Sequence, residues 1–174
     1  MSHAAVAFVP LKIAVLTVSD TRDESTDTSG QYLVTALTEA GHHLAAKAIL
    51  KDDKYQLRAL VSGWIASSDV QVVVITGGTG FTGRDTTPEA ITPLLDSTID
   101  GFGELFRHLT YQELGTSTVQ SRALGGLANH TAIFCLPGST GACRTGWNGI
   151  LAEQLNAAHK PCNFVQHLVV RPSS

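Results

Sequence analysis

Residues 72–91 read VVVITGGTGFTGRDTTPEAI, and this stretch decides the fold. A β-branched run over 72–76 meets a loop with four glycines in seven residues, 77–83. The loop then presents Arg84 and Asp85 and leads into Thr86-Thr87-Pro88-Glu89. Pro88 suits the first turn of a helix, where its missing N–H costs nothing, and Thr87 before it can cap that helix. The segment therefore reads strand, glycine loop, helix start. Glycines at the C-terminal end of a strand let backbone N–H groups approach an anion closely. In an open α/β sheet those strand ends are where ligands bind. With one cation and one carboxylate on the same loop, the segment suits a phosphate-bearing ligand accompanied by a metal ion.

Two familiar phosphate motifs are close but do not apply. Residues 78–83 spell G-x-G-x-x-G, but a dinucleotide fingerprint runs straight into its helix near the first strand, and here residues 84–87 intervene. The ribose-binding acid expected about 20 residues on would have to be Asp96 or Asp100, and PLLDSTIDGF does not read as a strand. A nicotinamide oxidoreductase is disfavoured on that ground. Residues 78–85 nearly spell the P-loop, yet Arg84 and Asp85 stand where lysine and a hydroxyl are needed.

Working outward, 174 residues are most simply one domain spanning 1–174, with residues 1–10 and 171–174 expected to be flexible. Hydrophobic content of 43% and charged content of 16% fit a compact soluble chain. The net charge of −3 and the absence of a lysine-arginine run argue against nucleic acid. The N-terminal MSHAAVAFVP has no basic region and an apolar stretch too short to span or export, so no membrane contact and a cytoplasmic location are expected. Cys135, Cys143 and Cys162 lack metal-ligand spacing and read as free thiols in or near the core.

Apolar runs at 12–19 (KIAVLTVS), 70–76 and 131–136 read as buried parallel strands, and 42–50 as a weaker one in which His42-His43 is partly exposed. Helical spacing predicts helices over 29–40, 54–67, 88–95, 101–114 and 118–127, and another from the PGSTG turn to about Ala158. The tail is read as a strand over 164–170. Strands alternate with helices, which predicts a three-layer α/β/α sandwich around a mostly parallel sheet. The loops after Ser19, Thr76 and Leu136 should then share one edge.

Several side chains on that edge carry an ordinary reading and a functional one. Asp85 is either a turn aspartate bonding its own backbone or a magnesium ligand. Asp52 and Asp53 either cap the helix from Lys54 or bring a second carboxylate to the site. Two separated carboxylates with bridging phosphates match how magnesium binds. Ser139 cannot head a nucleophile elbow, because position 137 is proline; it is either an N-cap or a phosphate contact. Thr17, Ser19 and Asp20, and likewise the stretch 27–30, could be capping alone. Ser121-Arg122 could serve a phosphate or pair with a surface carboxylate.

The blocks TVSD at 17–20, DTSG at 27–30, ITGGTGFTGRDTTPEA at 75–90, GFGE at 101–104, TSTVQSRA at 116–123 and LPGST at 136–140 occur in this order. Together they resemble the MoaB/Mog family of molybdenum cofactor biosynthesis proteins over about residues 10–160. EAGHH, QVVVITGGTG and PCNF lie nearest its bacterial MoaB branch. The resemblance implies a MogA-like, molybdopterin-binding α/β fold that forms homotrimers or homohexamers. It implies adenylylation of molybdopterin with magnesium ATP, release of pyrophosphate, and delivery of the product to a molybdenum-insertion enzyme. By position, Asp85 and Asp52 match the family's catalytic aspartates and would hold the magnesium. In the turn around Asp52, Lys51 replaces the usual proline. Gly77, Gly78, Thr79 and Gly80 match the phosphate loop for nucleotide and pterin. Ser121 and Arg122 match a polar pair near the pterin, while Ser19 and the turn Pro137, Gly138 and Ser139 match further substrate contacts. The alternative is a paralogue that binds pterin or nucleotide without turnover.

Overall fold

The computed structural model describes residues 7–168. Among the described residues six strands form one sheet: β1 (Lys12–Val18), β2 (His43–Leu50), β3 (Val72–Thr76), β4 (Ser97–Thr98), β5 (Leu124–Ala128) and β6 (Thr131–Leu136), in the order β2-β1-β3-β6-β5-β4. The first four in that order are parallel, and β5 and β4 add on antiparallel. β3 and β6 are buried throughout and β1 beyond its first residue, which accounts for their unbroken apolar sequence. β2 is more polar because it is an edge.

Side chains alternate between two cores. Ile13, Val15, Val72, Val74 and Phe134 face α1 (Thr28–Glu39), α4 (Asp100–Leu114) and α5 (Thr140–Gly146). Leu16, Val73, Ile75, Ile133 and Cys135 face α2 (Lys54–Ala66) and α3 (Thr87–Ile91). This is the expected three-layer α/β/α arrangement.

Four local readings change. Residues 118–127 are not a helix: a 3-10 turn over Gly115–Gln120 gives way to β5. The Gly125-Gly126 pair belongs to that strand because neighbours occupy the room for side chains. A Cβ on Gly125 would stand 3.0 Å from the Phe134 ring, and one on Gly126 would run into Leu95. The PLLDSTIDGF stretch does contain a strand, since Ser97 and Thr98 pair with Leu127 and Gly126. The helix after the PGSTG turn stops at Gln154, passing through a π turn (Trp147–Leu151) into α6 (Ala152–Gln154). The tail is helical rather than extended in α7 (Val165–Leu168), where the Asn163 side chain accepts the Val165 N–H at 3.0 Å. Residues 169–170 of the expected strand lie outside the described residues.

His42 precedes β2 and is buried, with Nδ1 accepting the Leu11 N–H at 3.2 Å. Cys135 and Cys143 are buried, whereas Cys162 is exposed. Of the ends expected to be flexible, 1–6 and 171–174 lie outside the described residues, and Phe8 stacks on His42.

Asn129 and His130 join β5 to β6 with φ of 47° and 62°, the pattern of a type I′ hairpin turn. Asn129 is held by its N–H to Asp96 and its side-chain amide to Ile65. His130 meets only the steric cost of left-handed backbone. His130→Gly is therefore expected to raise stability by about 0.5–1 kcal/mol, the relief of strain being partly offset by glycine's extra freedom when unfolded. A higher urea midpoint at unchanged slope would show it; a lower midpoint would contradict it.

Candidate active site

The C-terminal ends of β1, β3 and β6 meet. The Gly77 N–H donates to the Leu136 carbonyl at 2.9 Å, and the Thr76 hydroxyl donates to the Pro137 carbonyl at 3.0 Å. A Cβ on Gly138 would lie 3.2 Å from the Gly77 Cα, and one on Gly77 (φ 107°) would overlap the Val18 carbonyl oxygen. The glycine loop and the PGSTG turn are thus in backbone contact. They form the floor of a cleft of about 490 Å³. The floor consists of Gly77, Gly78, Thr79, Gly80, Pro137, Gly138 and Ser139. The opposite wall comes from the end of α4 and the turn after it, with Thr110, Glu113, Ser117, Thr118, Gln120 and Ser121. Phe106 and Leu114 share this wall with the hydroxyls, and those of Thr110 and Thr118 are 2.5 Å apart.

Asp85 lies at the cleft. Its carboxylate accepts the Thr82 N–H at 2.9 Å and the Thr82 hydroxyl at 2.6 Å. Those bonds hold its carboxyl below the usual carboxylate range, helped by the Arg122 charge. Asp52 stands behind the loop: its Oδ2 is 2.6 Å from where a Gly78 Cβ would sit. Its carboxylate accepts the Thr86 hydroxyl at 2.5 Å and the Thr86 N–H at 3.1 Å. Burial nonetheless pushes the Asp52 carboxyl up, and the charges of Asp85 and Asp20 push the same way. Asp53 does something else. It is the N-cap of α2, accepting the N–H groups of Tyr55 and Gln56. The adjacent acids therefore divide the two roles that the sequence left open, one capping and one facing the loop.

Asp52, Ser19 and Arg122 are not part of the cleft lining, and Ser139 has a second role. Ser19 turns into its own loop, accepting the Arg22 N–H at 3.1 Å, and borders a neighbouring depression with Asp20 and Lys51. Ser139 lines the cleft but also caps α5, accepting the Ala142 N–H. Arg122, unlike Ser121, is not part of the cleft lining; its guanidinium engages carbonyls of the glycine loop.

Sequence reasoning missed Thr110 and Glu113 on α4, which belong to no motif, while the turn after α4 falls in the TSTVQSRA block. It also missed the Asp20–Arg84 pair. There Arg84 reaches Asp20 through Nε at 2.9 Å and Nη2 at 2.7 Å, and Asp20 also accepts the Asp52 N–H. The Arg84 guanidinium holds the Asp20 carboxyl below its usual range.

Among the described residues, no three His, Cys, Asp or Glu come together as a metal cage. What is present is a pair of hard oxygen donors beside a phosphate-type loop, Asp52 against Gly78 and Asp85 against Gly80. That donor set fits a magnesium ion arriving with phosphate oxygens and waters rather than a resident, fully protein-held metal.

A mostly parallel sheet with a glycine-floored cleft at its C-terminal edge makes this an α/β protein with a cleft suited to a small phosphorylated molecule. Residues 14–157 match the protein family described as "Probable molybdopterin binding domain", and the chain belongs to that family. It is 58% identical over 168 residues to molybdenum cofactor biosynthesis protein B of Escherichia coli K12, covering 97% of this chain and 99% of that protein. A crystal structure of a molybdenum cofactor biosynthesis protein B superposes with a TM-score of 0.83 at 44% identity, over 86% of this chain and 94% of that one. The tungsten cofactor synthesizing protein MoaB of Pyrococcus furiosus superposes with a TM-score of 0.72 at 39% identity, over 83% and 92%. The chain is thus a homologue of molybdenum cofactor biosynthesis protein B. Among the described residues, no helix is long and apolar enough to cross a membrane.

Proposed function

We propose that this chain binds molybdopterin in the 490 Å³ cleft and adenylylates it with magnesium ATP in the cytoplasm. The observation that carries this reading is the placement of two carboxylates against the glycine loop, Asp52 beside Gly78 and Asp85 beside Gly80. The phosphate oxygen of molybdopterin attacks the α-phosphorus of ATP. The bond from that phosphorus to the bridging oxygen breaks, and pyrophosphate leaves with its electrons. Bound magnesium would neutralise charge on the nucleotide phosphates.

The chain's own part is positioning and charge. Asp52 and Asp85 would offer carboxylate oxygens to a magnesium-bound nucleotide. N–H groups of Gly78 and Thr79 would serve phosphate oxygens, that of Gly80 being engaged by the Asp85 carboxylate, and Ser139 and Ser121 would offer hydroxyls. Phosphoryl-type transfer needs no covalent enzyme intermediate when positioning and electrostatics are supplied. The product would pass to a molybdenum-insertion enzyme.

The test is direct: incubate the protein with molybdopterin, ATP and magnesium, and look for adenylyl-molybdopterin and pyrophosphate. One observation favours the other reading, a pterin- or nucleotide-binding module without turnover. Both carboxylates already accept hydroxyl and N–H donors from Thr82 and Thr86. Tight molybdopterin binding with no product would establish that reading instead.

The same proposal includes a homotrimer or homohexamer. Leu105, Tyr111, Leu114 and Val119, on α4 and the turn after it, are all exposed, an unusual concentration of large apolar side chains. Light scattering at micromolar concentration is expected to report three or six chains. A monomer would overturn this expectation.

A further inference from the structure

Asp85 can hold a metal-bound nucleotide only if its loop holds still, yet residues 81–84 are exposed and form no helix or strand. The neck of that loop is closed from outside, by Arg122 on the segment entering β5. The Arg122 N–H donates to the Thr79 carbonyl at 3.2 Å. Its Nε donates to the Gly80 carbonyl at 2.8 Å, and Nη2 reaches both that oxygen and the Asp85 carbonyl, the latter at 2.9 Å. The first and last residues of the 80–85 loop are therefore tied to one planar group. Nη1 pairs with the Glu89 carboxylate on α3, and the guanidinium carbon lies 5.0 Å from the centroid of the otherwise exposed Phe81 ring. Four of the five N–H donors of a guanidinium are thereby in use.

We infer that Arg122 is a positioning residue for adenylyl transfer: it clamps the neck of the 80–85 loop and so fixes the Asp85 carboxylate, with Glu89 as its anchor and Phe81 as its platform. It does this without touching the pterin. The inference rests on the adenylyl-transfer reading for its kinetic consequence but not for the clamp itself. Lysine cannot replace the clamp, because a point ammonium lacks the planar fork that spans two carbonyls and a carboxylate at once. Glu89 has no other part in the cleft, so any effect of its loss reports on the anchor.

The experiment compares wild type with Arg122→Ala, Arg122→Lys and Glu89→Gln by three measurements. In hydrogen–deuterium exchange, amides of residues 80–86 are expected to exchange roughly tenfold faster or more in both Arg122 variants, and less so in Glu89→Gln, with the strands unchanged. Molybdopterin affinity should stay within about threefold, because the clamp is outside the cleft. Turnover should fall by roughly ten- to a hundredfold in kcat with KM for molybdopterin little changed, as misplacement of one catalytic group commonly does. Millimolar guanidinium added to Arg122→Ala should restore part of that loss, and it should not help Arg122→Lys. The clamp is overturned if Arg122→Ala leaves loop exchange unchanged, or if it weakens molybdopterin about tenfold while Glu89→Gln does nothing. Those results would make Arg122 a pterin contact. If wild type itself never turns over, the adenylyl-transfer reading fails, and the exchange and affinity measurements still decide the clamp. Should Arg122→Ala not fold, Arg122→Lys and Glu89→Gln carry the same comparison.

Discussion

Asp85→Asn is expected to cut adenylylation by about two orders of magnitude or more, the usual effect of losing one electrostatic group at the transition state. Molybdopterin affinity should stay within about threefold, a fraction of a kcal/mol. The separation follows from where the charge acts. Asparagine keeps the size of the side chain and can still accept the Thr82 hydroxyl, so the loop closed at Asp85 keeps its shape. What is lost is the negative charge presented to the metal-bound nucleotide. The proposal places the pterin along the α4 side of the cleft, whose lining it shares with Asp85, and assigns the charge to the nucleotide. Single-turnover kinetics together with a binding titration will check both halves. Full activity in Asp85→Asn would end its assignment as a catalytic residue.

The second large effect is expected at Asp52, again about a hundredfold loss of turnover in Asp52→Asn, while Asp53→Asn should change activity by no more than about twofold. The structure predicts this contrast because Asp53 is a helix cap, and asparagine caps about as well as aspartate. A defect in Asp53→Asn with a silent Asp52→Asn would reverse the assignment. A pH profile supplies a further check. Burial raises the Asp52 carboxyl, and hydrogen bonds from Thr82 lower that of Asp85. As pH falls, Asp52 of the free protein therefore takes up its proton first, and the acid limb of kcat/KM, which reports the free protein, is expected to belong to Asp52. Stability runs the opposite way. A carboxyl whose pKa is higher folded than unfolded favours the folded state below its unfolded value, and that contribution is lost as pH rises through the folded value. Neutral-pH stability in Asp52→Asn should thus be equal or higher, which separates damage to the chemistry from damage to the fold.

The parts of this molecule that could be read from its sequence are those whose cause is local. The unbroken apolar runs of β1, β3 and β6 follow from burial on both faces of a parallel sheet, and the glycine loop follows from backbone that side chains would obstruct. Asp85 stood out because it shares that loop. β5 was misread because its two glycines carry no strand preference of their own; Phe102, Phe134 and Leu95 supply the reason, and they are remote in sequence. The choice between Asp52 and Asp53 depends on which of two adjacent side chains turns toward the helix, and composition is silent on that. The end of α4 reads as an ordinary helix end, since Thr110 and Glu113 acquire meaning only when the PGSTG turn faces them. Arg122 bonds a carbonyl 42 residues away, a relation no spacing rule captures.

The contact between Gly77 and Gly138 divides the cleft into two halves of different adaptability. The glycines of the floor pack against main chain, and a Cβ added at Gly77, Gly78, Gly80 or Gly138 meets backbone, Thr87 or the carboxylate of Asp52 or Asp85. It offers mutation nothing to adjust. The wall opposite is made of side chains on a helix end and a turn, each of which can be exchanged singly without disturbing the strands. A change in which phosphorylated molecule is accepted would therefore be written on the wall, while the floor would go on handling phosphate in the same way.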